Sequence, residues 1–157
     1  MIHEITHQLA FNTGLQNRFA PPPLWAGEGI AVLFEAPGIR EPYRYTRFKD
    51  RVHPSYLSHA QKLMAEKKFT DVLKKMIVDD QVFKSEQTNA YTVAWALTYY
   101  LARAKPKAFS RYFKKLAARK NFTKYTDRQR WADFAEHFGT DLNGLTASIK
   151  QHFDRQR

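Results

Sequence analysis

Two histidines four residues apart, His3 and His7, with Glu4 beside the first, spell H-E-x-x-H at the start of this 157-residue chain. On an α-helix, positions i and i+4 lie above one another on one face, so both imidazoles can turn toward a single metal ion. Glu4 is offset around the helix. It is too far round to be a close ligand, yet near enough to hold a water molecule against the ion. Two neutral imidazoles and a carboxylate base are the parts that zinc-assisted hydrolysis requires. The bland alternative is a surface helix that carries three polar residues by accident.

A site of this kind takes three protein ligands and keeps a fourth place open. A third histidine in the pattern H-E-x-x-H-x-x-G-x-x-H is excluded, because Ala10 and Thr13 stand at the Gly and His positions. A second arrangement draws a glutamate from the following helix, and Glu28 in Trp25-Ala26-Gly27-Glu28-Gly29-Ile30-Ala31 fits it. A glycine inside a helix costs about 1 kcal/mol relative to alanine. Gly27 and Gly29 therefore ask for a reason, and close approach to the helix that bears the histidines would supply one. Otherwise Gly27 ends a loop and Glu28 merely begins a helix.

These residues must be positioned by helices. Met1 to Asn12 reads as a short helix closed at Gly14. A loop ending in Pro21-Pro22-Pro23 leads to a second helix, Leu24 to Glu35, stopped by Pro37-Gly38. Residues 37–53 lack a period and read as loop. From Pro54 to about Lys67, Tyr56, Leu57, Ala60, Leu63 and Met64 form an apolar face at helical spacing. Thr70 is placed to cap a short helix through Ile77, before a turn at Asp79-Asp80. Thr88 to Ala102 contains no charged residue, which predicts a helix buried on nearly all sides at the centre of the domain. Pro106 opens a helix to about Lys120, Thr126 caps another that ends at Gly139, and Asp141 starts the last, with Leu142, Leu145, Ile149 and Phe153 on one side. No segment alternates like a strand. The chain reads as all-α, a single helical domain over 1–157: zinc-motif helices in 1–35, connecting loop and helices in 36–85, and a helical subdomain with a basic surface in 86–157.

Composition sets the outer bounds. Cysteine is absent, which excludes disulfides and thiolate-ligated metals and leaves His, Asp and Glu as candidate ligands. No apolar run approaches the roughly 20 residues of a membrane span. The formal charge of +11 raises nucleic acid, anionic polymers and acidic lipids as partners without choosing between them.

HEITHQLAFNTGL followed by PLWAGEGIAVLFE resembles the gluzincin-type metallopeptidases, and most closely the peptidase-MA-like group that includes the DUF1570 proteins. Their pattern is H-E-x-x-H-Q and then a P-x-W-x-x-E-G-x-A segment whose glutamate completes a zinc site. The resemblance implies Zn2+ held by His3, His7 and Glu28, with Glu4 as general base in peptide-bond hydrolysis. Tyr91-Thr92-Val93-Ala94-Trp95-Ala96-Leu97 also looks like the tyrosine-bearing helix of gluzincins, which makes Tyr91 a candidate oxyanion stabiliser; the alternative is an aromatic in a buried helix. Glu35 is a candidate for orienting a ligand ring, set against an exposed carboxylate at a helix end. The likeness spans most of the chain, but its specific motifs lie in the first 35 residues.

Gluzincin domains carry a β-sheet upstream of the motif, whereas two residues precede His3 here. The expectation is therefore the C-terminal half of a catalytic domain, with His3 in a fraying first turn and with zinc affinity and peptidase activity weakened in isolation. The family likeness leans toward a periplasmic or secreted location.

His53, His59, His137 and His152 show no ligand spacing and receive no role. Asp79-Asp80 lack a further cation-ligand pattern. The stretch from Arg103 to Arg130 holds eleven basic residues against Asp127 alone, with Phe109, Tyr112, Phe113, Phe122 and Tyr125 interleaved. Phe109, Phe113 and Leu116 repeat at helical spacing and read as core, so the basic residues form a solvated face. The competing function class is a non-catalytic basic module in which the 103–130 face binds nucleic acid or another polyanion.

Overall fold

A computed structural model describes residues 1–156, and every regular element among them is a helix. Eight have ten residues or more: α1 is Ile2–Asn12, α2 Leu24–Glu35, α5 Pro54–Ala65, α6 Phe69–Val78, α8 Gln87–Ala104, α9 Pro106–Ala117, α10 Asp127–Phe138 and α11 Leu142–Asp154. Single turns α3 Pro37–Arg40, α4 Phe48–Arg51 and α7 Val82–Ser85 lie between them. Residues 37–53, read as loop from the sequence, thus contain two turns of helix. Pro37 begins α3 at a position where its missing N–H is not needed, rather than only ending α2.

The uncharged segment is the axis of the fold. In α8, Val93, Ala94, Trp95, Ala96 and Leu97 are wholly buried, and α2, α5, α6, α7, α9 and α11 all pack against it. Trp95 stacks on Phe153 of α11 with ring centroids 5.5 Å apart. Burial of one such side chain is worth roughly 1.5–3 kcal/mol, so this helix holds most of its neighbours in place.

Local signals explain the ends. Thr126 accepts from the Gln129 N–H, and the Gln129 side chain accepts from the Thr126 N–H, a complete capping box. Gly139 closes α10 at φ +89°, and Gly14 follows α1 at φ +75°, both in the left-handed region that glycine enters without strain. Asp141 caps α11 through the Gly144 N–H. Thr70 departs from expectation. It lies inside α6, and its hydroxyl meets that of Thr146 on α11 at 2.9 Å. Phe69, fully buried, starts the helix one residue earlier, so packing rather than capping sets this terminus.

The two glycines beside Glu28 do different work. A Cβ on Gly29 would lie 2.1 Å from Thr98 Oγ1 and 2.8 Å from the Ala94 carbonyl, so the close approach is to α8, not to α1. Gly27 faces α1, yet a Cβ there would meet only ordinary contacts, 3.7 Å from Gln16 Nε2 and 3.9 Å from His7 Cε1. Gly29→Ala should therefore destabilise the protein by about 1–3 kcal/mol through overpacking. Gly27→Ala should gain about 0.5–1 kcal/mol from helix propensity. Urea denaturation of the two variants checks the contrast, and equal effects would sink it.

Candidate metal centre

α1 lies across α2 and buries only Ala10 outright. Its first turn is closed by the Ile5 N–H donating to the Met1 carbonyl at 3.1 Å. What fixes that turn sideways is His3. Its Nδ1 donates to Glu35 Oε1 at 2.8 Å, and its Nε2 lies 3.1 Å from Glu28 Oε2. His7 sits one turn on, with Nε2 3.2 Å from His3 Nε2 and 3.6 Å from Glu28 Oε1. One ligand atom from each of His3, His7 and Glu28 lies within 4.8 Å of the other two. All three side chains are about one-fifth exposed, neither sealed nor freely solvated.

The donor chemistry follows. With Nδ1–H given to Glu35, the His3 tautomer leaves a lone pair on Nε2. That lone pair faces a carboxylate oxygen and a second imidazole nitrogen. Three electron-rich atoms at such spacing repel unless a proton or a cation stands between them. Two imidazoles and one carboxylate suit zinc in kind and number, so the residues fit a metal of that class.

The helix that brings Glu28 is held at its start from outside. Pro23 offers no side-chain cap, and the Leu24 N–H donates instead to Asp80 Oδ1 at 3.1 Å. The same oxygen accepts from Arg130 Nη2 at 2.6 Å, while Arg130 Nε donates to the Ile77 carbonyl at 3.1 Å. Asp80, without an assigned role in the sequence, is thus a latch between α2, α6 and α10. Arg130 belongs to the core and not to a solvated basic face. Others in that stretch are also committed. Lys115 pairs with Asp133 and Glu136, and Arg119 lies over the Tyr125 ring at 3.7 Å. Trp25, in the first turn of α2, is fully buried against Tyr112 and Phe134.

Glu4 is exposed and faces a cleft of about 310 Å³ that it lines with His7, Gln16, Pro21, Pro23 and Glu28. Tyr91, at the start of α8, is half-buried and packs edge-on against Phe83. Burial, followed by the charge of Glu28 and a hydrogen bond to it, pushes its hydroxyl up to about 12. Glu4 acts on it more weakly in the same sense. His3, Glu4, His7, Glu28 and Tyr91 therefore gather in one place.

Three neighbours escaped the sequence reading. Tyr56, counted only as part of an apolar face, has its hydroxyl pKa raised by burial and by Glu35 and Glu28. His53 lies 3.8 Å from the second oxygen of Glu35 and packs at a tilt against Tyr56, which extends the chain His3–Glu35–His53. Gln16 is 4% exposed, and its Nε2 has no hydrogen-bond partner among the described residues. An orphaned buried donor costs about 1–3 kcal/mol, so Gln16 is a group awaiting an acceptor from the cleft. No spacing rule links a loop glutamine to a helix pair, which is why it could not be found in advance.

These features define a helical protein with a histidine–glutamate cluster at the meeting of its first two helices. The family model described as a protein of unknown function, DUF1570, matches residues 1–123, and the chain belongs to that family. Neither the curated proteins nor the solved structures gave a match.

Proposed function

We propose that this site is the centre of a gluzincin-type, peptidase-MA-like zinc hydrolase that cleaves peptide bonds. The observation that carries the reading is the convergence of His3, His7 and Glu28, with lone pairs facing one another and Glu35 fixing the tautomer of the first ring. His3, His7 and Glu28 would hold a zinc ion that, when bound, would supply Lewis acidity and lower the pKa of its water toward neutrality. The remaining roles fall to side chains. Glu4, exposed on the cleft, takes the proton of the attacking water and passes it to the leaving amine. Tyr91 donates its hydroxyl hydrogen to the carbonyl oxygen as negative charge grows there. Its raised pKa keeps that hydrogen in place at neutral pH.

The described residues contain no strand along which a peptide could lie by edge pairing. The test accordingly uses high protein concentration and an unfolded protein substrate, with zinc removed by chelation and then restored. Hydrolysis should follow zinc. Tyr91→Phe should lower kcat about 10²–10³-fold, the usual loss on removal of one oxyanion donor, with little change in KM. Hydrolysis indifferent to chelation would overturn the assignment.

A further inference from the structure

On the other flank of α2, away from the metal centre, lies a cavity of about 700 Å³. It falls within the roughly 300–1,000 Å³ of small-molecule sites. Its body is apolar, walled by Ile30, Leu33 and Phe34 of α2, Ile39 of α3, and Phe109 and Phe113 of α9. Phe34 and Leu15, which also lines the cavity, remain about 40% exposed and mark its mouth. Large apolar side chains left open around a concave site are what a ligand covers.

The polar lining has one sign. Arg51, Arg103 and Lys114 all border the cavity, and no Asp or Glu does. None of the three cations has an ion pair among the described residues, whereas Lys115 and Arg130 nearby do. Arg103 is spent only on the face of Tyr99, 5.2 Å from the ring centroid. Arg51 is more telling, because its Nε is buried and has no hydrogen-bond partner among the described residues. A guanidinium N–H enclosed in this way is costly unless an acceptor arrives. The backbone is shaped around it as well: a Cβ on Gly38 would lie 2.7 Å from Arg51 Cγ, so only glycine leaves room for that side chain.

We propose that this cavity binds one free long-chain fatty acid, with its acyl chain along α2 and α9 and its carboxylate between Arg51, Arg103 and Lys114. An apolar trough with three unpaired cations and no carboxylate matches an anionic single-chain amphiphile in both parts. It does not match a cationic or a doubly polar ligand.

The purified chain is titrated with palmitate below its micelle-forming concentration, by displacement of a fluorescent fatty-acid analogue. Saturable binding of one palmitate per chain is expected, with hexadecyltrimethylammonium at least tenfold weaker. Arg103→Gln combined with Lys114→Gln, both at exposed positions, should weaken palmitate about tenfold. Ser110→Phe, which fills the cavity from an exposed position, should abolish displacement while circular dichroism stays native. Equal affinity for the cationic amphiphile, uptake only above the micellar concentration, or undiminished binding in Ser110→Phe would each overturn the proposal.

Discussion

Glu28→Gln should lower zinc affinity by about 10³-fold or more while leaving the metal-free protein as stable as before, or slightly more so. Loss of outer hydrogen-bond partners alone lowers metal affinity about 10–100-fold, and a direct ligand should matter more. The stability half of the expectation comes from crowding. In the metal-free site, Glu28 places its two oxygens 3.1 Å and 3.6 Å from ring nitrogens that carry lone pairs or must be protonated to tolerate it. A neutral amide of the same shape relieves that conflict and can still hydrogen-bond. Zinc bound only to the folded form should raise the wild-type melting temperature, since a ligand at 100 times its Kd adds about 2.7 kcal/mol. Glu28→Gln should lose that rise, and His7→Ala should behave likewise. Glu35→Gln should fall between, because it releases the His3 ring without removing a ligand. Competition against a chelating dye gives the affinities, and calorimetric scans with and without zinc give the stabilities. If Glu28→Gln still takes up one zinc with native affinity, the glutamate is not a ligand.

The parts of this site that were legible in the sequence are those governed by helical period. His3 and His7 share a face because of the fourfold spacing, and Glu28 arrives because an apolar helix with a proline start packs across them. The burial of α8 was equally legible, since fifteen residues without a charge leave a helix no solvent face. Three-dimensional neighbours were legible only as candidates, as Glu35 was, or not at all, as His53 and Tyr56 were. Glu35 lies two turns beyond Glu28 on α2, but whether it meets His3 depends on the angle at which α1 crosses. His53 and Tyr56 come from a separate segment whose approach is set by packing of α5 on α8. The glycines show how a correct signal can be attached to the wrong partner. Gly29 does mark a close helix contact, but Thr98 and Ala94 of α8 make it. Composition misleads in the same way between Arg103 and Arg130. Charge counts treat every cation as surface, whereas Arg130 is buried, tied to Asp80, and holds the start of the glutamate-bearing helix.

Glu4→Gln should reduce kcat by about 10²–10⁴-fold, the range that a positioned general base contributes, and leave zinc stoichiometry at one per chain. The separation of the two readouts is the point of the substitution. Glu4 is exposed and does not join the cluster of His3, His7 and Glu28, so its loss should not loosen the metal. It lines the cleft with His7 and Glu28, where the attacking water of the proposed reaction would pass its proton. Glutamine preserves size and hydrogen bonding but cannot accept that proton. Glu4→Asp draws the carboxylate back by one methylene and should recover only part of the rate, since proximity rather than charge alone governs transfer. Tyr91→Phe acts on the carbonyl oxygen instead of the water. If both groups serve one transition state, as proposed, the double variant Glu4→Gln/Tyr91→Phe should lose less than the product of the single losses. A Glu4→Gln protein that has shed its zinc would move Glu4 into the ligand set. One that keeps full activity would remove proton transfer by Glu4 from the reaction altogether.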